Sequence, residues 1–69
     1  MKKIALITGV ASGIGLATAK LLLRNGYAVI GLSRRSTMDQ TLDGDFTYVS
    51  GDIGNETDRS HFINVAMEK

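Results

Sequence analysis

The sequence predicts an α/β fold in which three parallel strands alternate with helical segments. Three apolar runs of four to six residues are separated by stretches with helical periodicity or helix-capping residues. The first two runs are continuous rather than alternating, which is typical of parallel strands covered on both faces. We expect a parallel sheet in the spatial order 3-2-1, with helices on both faces.

The first strand leads directly into a glycine-rich loop and then into a helix. The run Ile4–Ile7 is followed by the loop Thr8–Gly15, and a long amphipathic segment comes next. The first turn of a helix has N–H groups without partners and a partial positive charge, so an anionic diphosphate is stabilised there. This order of elements therefore predicts a site for the pyrophosphate of a dinucleotide.

The three glycines of the loop have separate predicted roles. Gly9 takes a backbone conformation that other residues avoid, and Gly13 lets the main chain approach the phosphates. Gly15 lets the new helix pack closely on the strand that precedes it. A triphosphate-binding P-loop is excluded, because the spacing from Gly9 puts Ile14-Gly15-Leu16 where Gly-Lys-Ser/Thr is required.

The first helix and the second strand follow the loop. The apolar stripe predicted for the helix is Ile14, Ala17, Thr18, Leu21 and Leu22. Lys20 and Arg24 are expected on the exposed face. Gly26 is expected to end the helix as a left-handed residue, and Tyr27–Leu32 is the second strand.

The second crossover is short and polar. It runs from Arg34 to Asp45, with a capping box at Ser36–Asp39 and room for roughly one or two helical turns. About a dozen residues suffice to link parallel strands. Phe46–Ser50 is the third strand, and Asn55–Asp58 cap a last helix. The apolar side predicted for that helix is Phe62, Ile63, Ala66 and Met67.

Composition excludes several classes of function. The chain of 69 residues contains no cysteine and one histidine, so it offers neither disulfides nor a metal cluster. Its net charge is +1, and residues of the two signs are interspersed along the chain, which disfavours nucleic-acid and membrane partners. The apolar runs are far shorter than a membrane span. We expect a cytoplasmic chain.

A secretory signal peptide is the alternative interpretation of the N-terminus. Met1–Lys3 are followed by an apolar stretch that ends in Ala17–Ala19, a small-residue pattern typical of a cleavage site. Three glycines interrupt that stretch, and strand-like and helix-like segments continue in order after it. The dinucleotide interpretation is therefore favoured.

The glycine spacing resembles one family of dinucleotide enzymes. The pattern T-G-x-x-x-G-x-G is formed by Thr8, Gly9, Gly13 and Gly15, with Ile14 between the last two glycines. It resembles the short-chain dehydrogenase/reductase family, whereas the commoner G-x-G-x-x-G pattern has its close pair first. The resemblance implies the N-terminal half of a Rossmann fold, spanning residues 1–69, in an oxidoreductase that acts on a carbonyl or alcohol substrate.

The predicted binding partner is a nicotinamide dinucleotide. The cofactor-binding residues predicted from the loop, the ribose rule and the resemblance are Gly9, Ser12, Gly13, Ile14, Gly15, Ser33, Arg34, Asp52 and Ile53. No residue of the chain is predicted to be catalytic or to ligate a metal. His61 is expected on the polar side of the last helix, without a role.

The end of the second strand indicates NADP, with NAD as the alternative. An acidic residue there binds the ribose 2′-hydroxyl of NAD, whereas an arginine accommodates the 2′-phosphate of NADP. Ser33 lies eighteen positions beyond Gly15, close to the usual separation of about twenty, and Arg34 follows it. The alternative is that Arg34 and Arg35 only make a loop soluble and do not contact a cofactor. Some NADP-using relatives carry a basic residue at the place of Ser12, which this chain lacks.

Asp52-Ile53 resembles the family's Asp-hydrophobic pair that borders the adenine. The alternative is that Asp52 only caps a turn beside glycine, and the sequence leaves both open. The family's Tyr-x-x-x-Lys pair is absent, since Tyr27 is followed four positions on by Gly31, and Tyr48 by Asp52. We therefore expect the adenosine-binding half without the nicotinamide site or catalytic residues.

Three functional hypotheses follow from that incompleteness. The chain is the N-terminal piece of an NADP-dependent oxidoreductase, a free-standing nucleotide-binding module, or a non-functional remnant. Ile4–Ile7 would be an open sheet edge without charge or proline, and such edges pair with other chains. We expect the partner of this edge to be a missing C-terminal half or a second copy joined through strand one.

Overall fold

A computed structural model describes residues 3–38 and 42–68. Its elements are β1 (Ile4–Thr8), α1 (Gly13–Arg24), β2 (Ala28–Ser33), β3 (Phe46–Ser50) and α2 (Glu56–Met67). The strands form one parallel sheet in the order β1-β2-β3. This is the predicted order 3-2-1 counted from the other edge, so the α/β class and the half-Rossmann sheet are confirmed.

The start of β2 differs by one residue from the sequence prediction. Tyr27 belongs to the turn that closes the end of α1, because its N–H donates to the Leu22 carbonyl at 3.0 Å. Gly26 has φ of +86°, the left-handed conformation expected just past a helix end. The strand therefore begins at Ala28.

The two helices cover opposite faces of the sheet. Consecutive residues of a strand point to opposite faces, so Val29 and Ile30 of β2 belong to different parts of the core. The face of Val29 carries a buried cluster with Val10 and Ala19, against which α1 packs. The face of Ile30 carries a cluster completed by Leu32, Val49 and Phe62, with Val65 and Ala66 of α2 beside it. The predicted placement of helices is confirmed.

The apolar stripe predicted for α1 is largely wrong. Ile14 is 87% exposed and Leu21 is 56% exposed, and Ala17 and Thr18 are exposed as well. The inward face is instead formed by Gly15, Ala19, Leu22 and Leu23. This spacing is also helical, and the close approach of Gly15 to the preceding loop selects it. Lys20 and Arg24 are exposed, as predicted.

The apolar side predicted for α2 is half correct. Phe62 is buried, and Ala66 packs beside it. Ile63 is 43% exposed and Met67 is 80% exposed, while Val65 packs in their place. The reason is that α2 packs on the β2 and β3 side chains of its face, so Ile63 and Met67 have no sheet beneath them.

The crossover between β2 and β3 is held by apolar side chains. Met38 and Leu42 pack against the cluster of Val10, Ala19 and Val29, on the same face as α1. Residues 34–37 form a bend, and no helix occurs in the described parts of the crossover, 34–38 and 42–45. The predicted capping box extends to Asp39, which lies outside the described residues.

Candidate functional site

A cleft of about 470 Å³ opens at the carboxyl ends of the strands. It is lined by the last residues of β1 and β2 and by the segments that follow all three strands: Thr8, Gly9, Ala11, Ser12, Leu32, Ser33, Arg34, Arg35, Gly51, Asp52 and Ile53. Ligands of open parallel sheets bind outside the carboxyl ends of the strands. The cleft is therefore the candidate site.

The glycine loop presents its backbone to this cleft. Gly9 has φ of +68° and Gly13 has φ of +61°, both in the left-handed region that favours glycine. A Cβ atom at Gly13 would have no heavy atom within 4 Å, so the surface of the loop at this position is open. The backbone conformation predicted for Gly9 is confirmed. The space that a side chain would fill at Gly13 is therefore free beside the main chain.

Gly15 lets α1 start directly against the loop. A Cβ atom at this position would lie 2.2 Å from the Gly9 carbonyl oxygen and 3.3 Å from the Val10 Cα atom. The sequence predicted close packing on the strand, and the structure shows that the contact is with the loop residues just after it. Only glycine fits this approach, because the obstructing atoms belong to backbone.

Val10 anchors the glycine loop to the sheet, a role that sequence reasoning missed. Its side chain is fully buried, and its N–H donates to the Leu32 carbonyl at 3.3 Å. The Cγ1 atom of Val10 lies 2.6 Å from the place where Gly31 would carry a Cβ atom. An apolar residue inside the loop, and a glycine inside an otherwise apolar strand, were the signals available in the sequence.

The N-terminus of α1 is left open to an anion. Ser12 is the N-cap residue, but its side chain makes no capping hydrogen bond, and the first turn contains no acidic residue. At α2, by contrast, the Asn55 side chain accepts from the Asp58 N–H, and Glu56 and Asp58 lie in the first turn. The unpaired N–H groups and partial positive charge of α1 thus suit a pyrophosphate, and the open backbone at Gly13 leaves room for it.

Ser33 at the end of β2 and the two arginines after it form one wall of the cleft. Ser33 is half-buried, whereas Arg34 and Arg35 are exposed, and all three line the cleft. The Ser33 hydroxyl accepts a hydrogen bond from the Arg35 N–H at 3.1 Å. No carboxylate stands at the end of β2 itself, so the charge offered there is positive.

Tyr48 of β3 is bound to that wall, which the sequence analysis did not foresee. Its hydroxyl donates to the Arg35 carbonyl oxygen at 2.5 Å and lies 3.1 Å from the Ser33 hydroxyl oxygen. Tyr48 pairs in register with Gly31, on the same face of the sheet as Val10. The alternation within β3 was the one signal that could have directed its side chain to this face.

Asp52 and Ile53 form the wall after β3. One carboxylate oxygen of Asp52 accepts from the Gly54 N–H at 2.9 Å, so Asp52 does cap this turn. The Asp52 N–H donates to the Asp58 carboxylate at 3.0 Å, and the Arg59 guanidinium donates to the Ile53 carbonyl at 2.9 Å. The turn is thereby tied to the start of α2. The adenine contact of Asp52 stays a prediction.

The structure brings the sequence-predicted residues to one place. Those that line the cleft are Gly9, Ser12, Ser33, Arg34, Asp52 and Ile53. Gly13, Ile14 and Gly15 form the first turn of α1 beside it. His61 lies on the exposed surface of α2, as expected. Their individual contacts with a cofactor stay predictions.

Neither a candidate metal site nor a membrane-spanning helix is found in the part of the chain that the structure describes. Across residues 3–38 and 42–68, no group of three or more His, Cys, Asp or Glu side chains could hold a metal ion. In the same part of the chain, no helix has the length and apolar character needed to cross a bilayer.

Known proteins resemble this chain in sequence and in fold. The family model described as short chain dehydrogenase matches residues 3–69. A putative ketoacyl reductase 2 of granaticin polyketide synthase, from Streptomyces violaceoruber, is 36% identical over 69 residues that cover 94% of this chain. The crystal structure of 3-ketoacyl-(acyl-carrier-protein) reductase from Brucella melitensis, complexed with NADH, matches 96% of the chain with a TM-score of 0.82 and 28% identity.

A second solved structure agrees. 4-Hydroxyisoleucine dehydrogenase complexed with NADH matches 97% of the chain with a TM-score of 0.75 and 31% identity. The chain spans only 28% of the length of the Streptomyces relative, and 29% and 28% of the two solved structures. The similarity therefore concerns one portion of each of these proteins.

Proposed function

The chain belongs to the short-chain dehydrogenase family, and on that premise we propose that it is the segment that binds the adenosine and pyrophosphate of NADP(H). The protein to which this segment belongs is an oxidoreductase that interconverts a carbonyl and an alcohol. NADP(H), when bound, supplies or accepts the hydride. The residues of this chain hold and orient the cofactor, and we assign proton transfer to residues outside these 69. A cytoplasmic location is part of the proposal.

The open N-terminus of α1 carries the pyrophosphate part of the proposal. The N–H groups after Ser12, which no side chain caps, and the exposed backbone at Gly13 lie beside the cleft that Ser12 lines. Asp52 and Ile53 form the opposite wall, where we propose that they border the adenine. The Ile53 side chain is 44% exposed, which leaves apolar area for a base to cover.

The guanidinium of Arg34 carries the choice of NADP over NAD. Arg34 is exposed at the cleft, and Ser33 stands where an NAD-selective protein would carry an acid. A hydrogen bond to a charged group contributes about 1.5–3 kcal/mol. Since about 1.4 kcal/mol is tenfold in affinity, NADP(H) should bind roughly ten- to a hundredfold more tightly than NAD(H).

Titration of the full chain with both cofactors tests this proposal. In Arg34→Ala, we expect the dissociation constant for NADP(H) to rise about tenfold or more, and that for NAD(H) to stay within about twofold. Arg24→Ala is the matched control, because Arg24 is an exposed arginine in the last turn of α1, outside the cleft. Equal affinity for the two cofactors, or unchanged NADP(H) binding in Arg34→Ala, would show that Arg34 is only a surface charge.

A further inference from the structure

We infer that Tyr48 is a positioning residue for the cofactor's 2′-phosphate, because its hydroxyl holds the segment Ser33–Arg35 in the bend that presents Arg34 to the cleft. This inference rests on the proposed function and adds to it a specificity-determining residue from a different strand. Its support is a hydrogen-bonded cycle of three residues, the packing of the Tyr48 ring and the restrained backbone of Arg34.

The hydrogen bonds between the three residues close into a cycle. The Arg35 N–H donates to the Ser33 hydroxyl oxygen at 3.1 Å. The Arg35 carbonyl can only accept, so the single phenolic hydrogen of Tyr48 is committed to it, at 2.5 Å. The remaining contact, 3.1 Å between the two hydroxyl oxygens, is then supplied with the hydrogen of Ser33. One phenol thus organises both the backbone of Arg35 and the hydroxyl of Ser33.

The ring of Tyr48 gives this hydroxyl a fixed origin. Tyr48 lies beside Gly31 in the sheet, and its half-buried ring packs against the cluster of Val10, Ala19 and Val29. Val10 belongs to the glycine loop, so the support of the phosphate side and that of the ribose side meet in one cluster. The position of the phenol is therefore set by the core and does not depend on the exposed segment that it binds.

Arg34 lies between two residues that are held in place. Ser33 is the last residue of β2, and its carbonyl accepts from the Gly51 N–H at 2.8 Å. Arg35 is held through both its N–H and its carbonyl. The backbone of Arg34 is thereby restrained, although its side chain is exposed. Restraint before binding reduces the conformational entropy lost when a phosphate is engaged, which raises affinity for that phosphate alone.

The test uses two ligands that differ only by the 2′-phosphate. Adenosine 2′,5′-bisphosphate and adenosine 5′-monophosphate are titrated into the full chain and its variants. In Tyr48→Phe, which keeps the ring, we expect affinity for the bisphosphate to fall about three- to tenfold. Affinity for the monophosphate should stay unchanged. Tyr27→Phe is the matched control, because the Tyr27 ring packs against the same cluster and lies outside the cleft.

The double variant Arg34→Ala/Tyr48→Phe separates positioning from direct contact. If Tyr48 acts through Arg34, Tyr48→Phe should cause no further loss in a chain that already lacks the guanidinium. Amide hydrogen exchange provides a second readout, and faster exchange of the Arg35 N–H is expected in Tyr48→Phe.

The outcomes distinguish the inference from the function on which it rests. If Arg34→Ala weakens binding of the bisphosphate and Tyr48→Phe does not, the inference is overturned and the proposed function stands. If Arg34→Ala leaves bisphosphate binding unchanged, both are overturned. Equal losses for the two ligands in Tyr48→Phe would give the tyrosine a merely structural role and would also overturn the inference.

Discussion

Gly15 is the residue of the loop where an added carbon atom meets the nearest obstacle. A Cβ atom would lie 2.2 Å from the Gly9 carbonyl oxygen and 2.8 Å from its carbonyl carbon. Backbone atoms cannot rotate away as the end of a flexible side chain does, so α1 or the loop must shift. We therefore expect Gly15→Ala to lower the free energy of unfolding by about 3 kcal/mol, at the upper end for overpacking.

Chemical unfolding of the full chain measures this effect. Gly54→Ala is the matched control, because a Cβ atom there would first meet the Asp52 carboxylate oxygen at 3.3 Å, the end of a side chain. We expect a change below about 1 kcal/mol in the control. Similar changes in the two variants would contradict the importance of the close approach at Gly15.

The conformation of the glycine loop could be predicted because it depends on single residues. Gly9 and Gly13 have positive φ, a property of single residues that a glycine in the sequence already indicates. The role of Val10 could not be predicted, because it depends on Gly31, which lies in β2. The role of Tyr48 could not be predicted for the same reason, since its partners Ser33 and Arg35 lie at and just after the end of β2.

Helix α2 differs from α1 in how its N-terminus is satisfied. The Asn55 carbonyl oxygen of the side chain accepts from the Asp58 N–H at 3.0 Å, and the Asp58 carboxylate accepts from the Asp52 N–H at 3.0 Å. These bonds stabilise the helix start and the turn on the cleft wall together. The N-terminus of α2 is thereby closed to an external anion, while that of α1 stays open.

Removing the cap of α2 should destabilise the fold moderately. We expect Asn55→Ala to lower the free energy of unfolding by about 1 kcal/mol, because the Asp58 N–H loses its acceptor. Asn64→Ala, at an exposed position within α2, is the control and should lower it by less than about 0.5 kcal/mol. Denaturant titrations of both variants decide the matter, and equal losses would show that the Asn55 cap contributes nothing specific.

The apolar stripe predicted for α1 is largely wrong because this helix offers more than one. The α1 sequence has apolar residues at Leu16 and at Leu21, Leu22 and Leu23, so more than one stripe has helical spacing. Periodicity alone could not choose between these stripes. The contact of Gly15 with the loop chooses one of them and directs Leu21 to the exposed surface.

The whole sheet has an edge strand with apolar side chains on its α2 face. Ile4 and Leu6 of β1 are each 43% exposed, on the face that α2 covers elsewhere. Ile63 and Met67 of α2 are exposed as well, at 43% and 80%. Within the described residues, β1 pairs with β2 alone, so its other edge has no strand beside it. An uncovered apolar edge of this kind favours association with another chain.

We therefore expect the 69-residue chain, purified alone, to self-associate through β1. Sedimentation over a range of concentrations should show a rising average mass, and Leu6→Lys should reduce it by placing a charge on the edge strand. His61→Lys adds the same residue on the exposed surface of α2 and is the control. A monodisperse monomer at all concentrations, with strongly protected amides from Ile4 to Thr8, would mean that the chain is autonomous.

The sequence by itself determined the order of elements, the parallel sheet and the family, and it indicated which residues would meet at the cleft. These properties depend on local chemistry: apolar runs form strands, glycines permit a tight loop, and spacing places the ends of parallel strands at one edge. The tertiary structure alone decided which faces of α1 and α2 are buried. It also decided that Val10 packs on Gly31, and that Tyr48 holds Ser33 and Arg35. Each of these contacts joins segments distant along the chain, so no local pattern contains it.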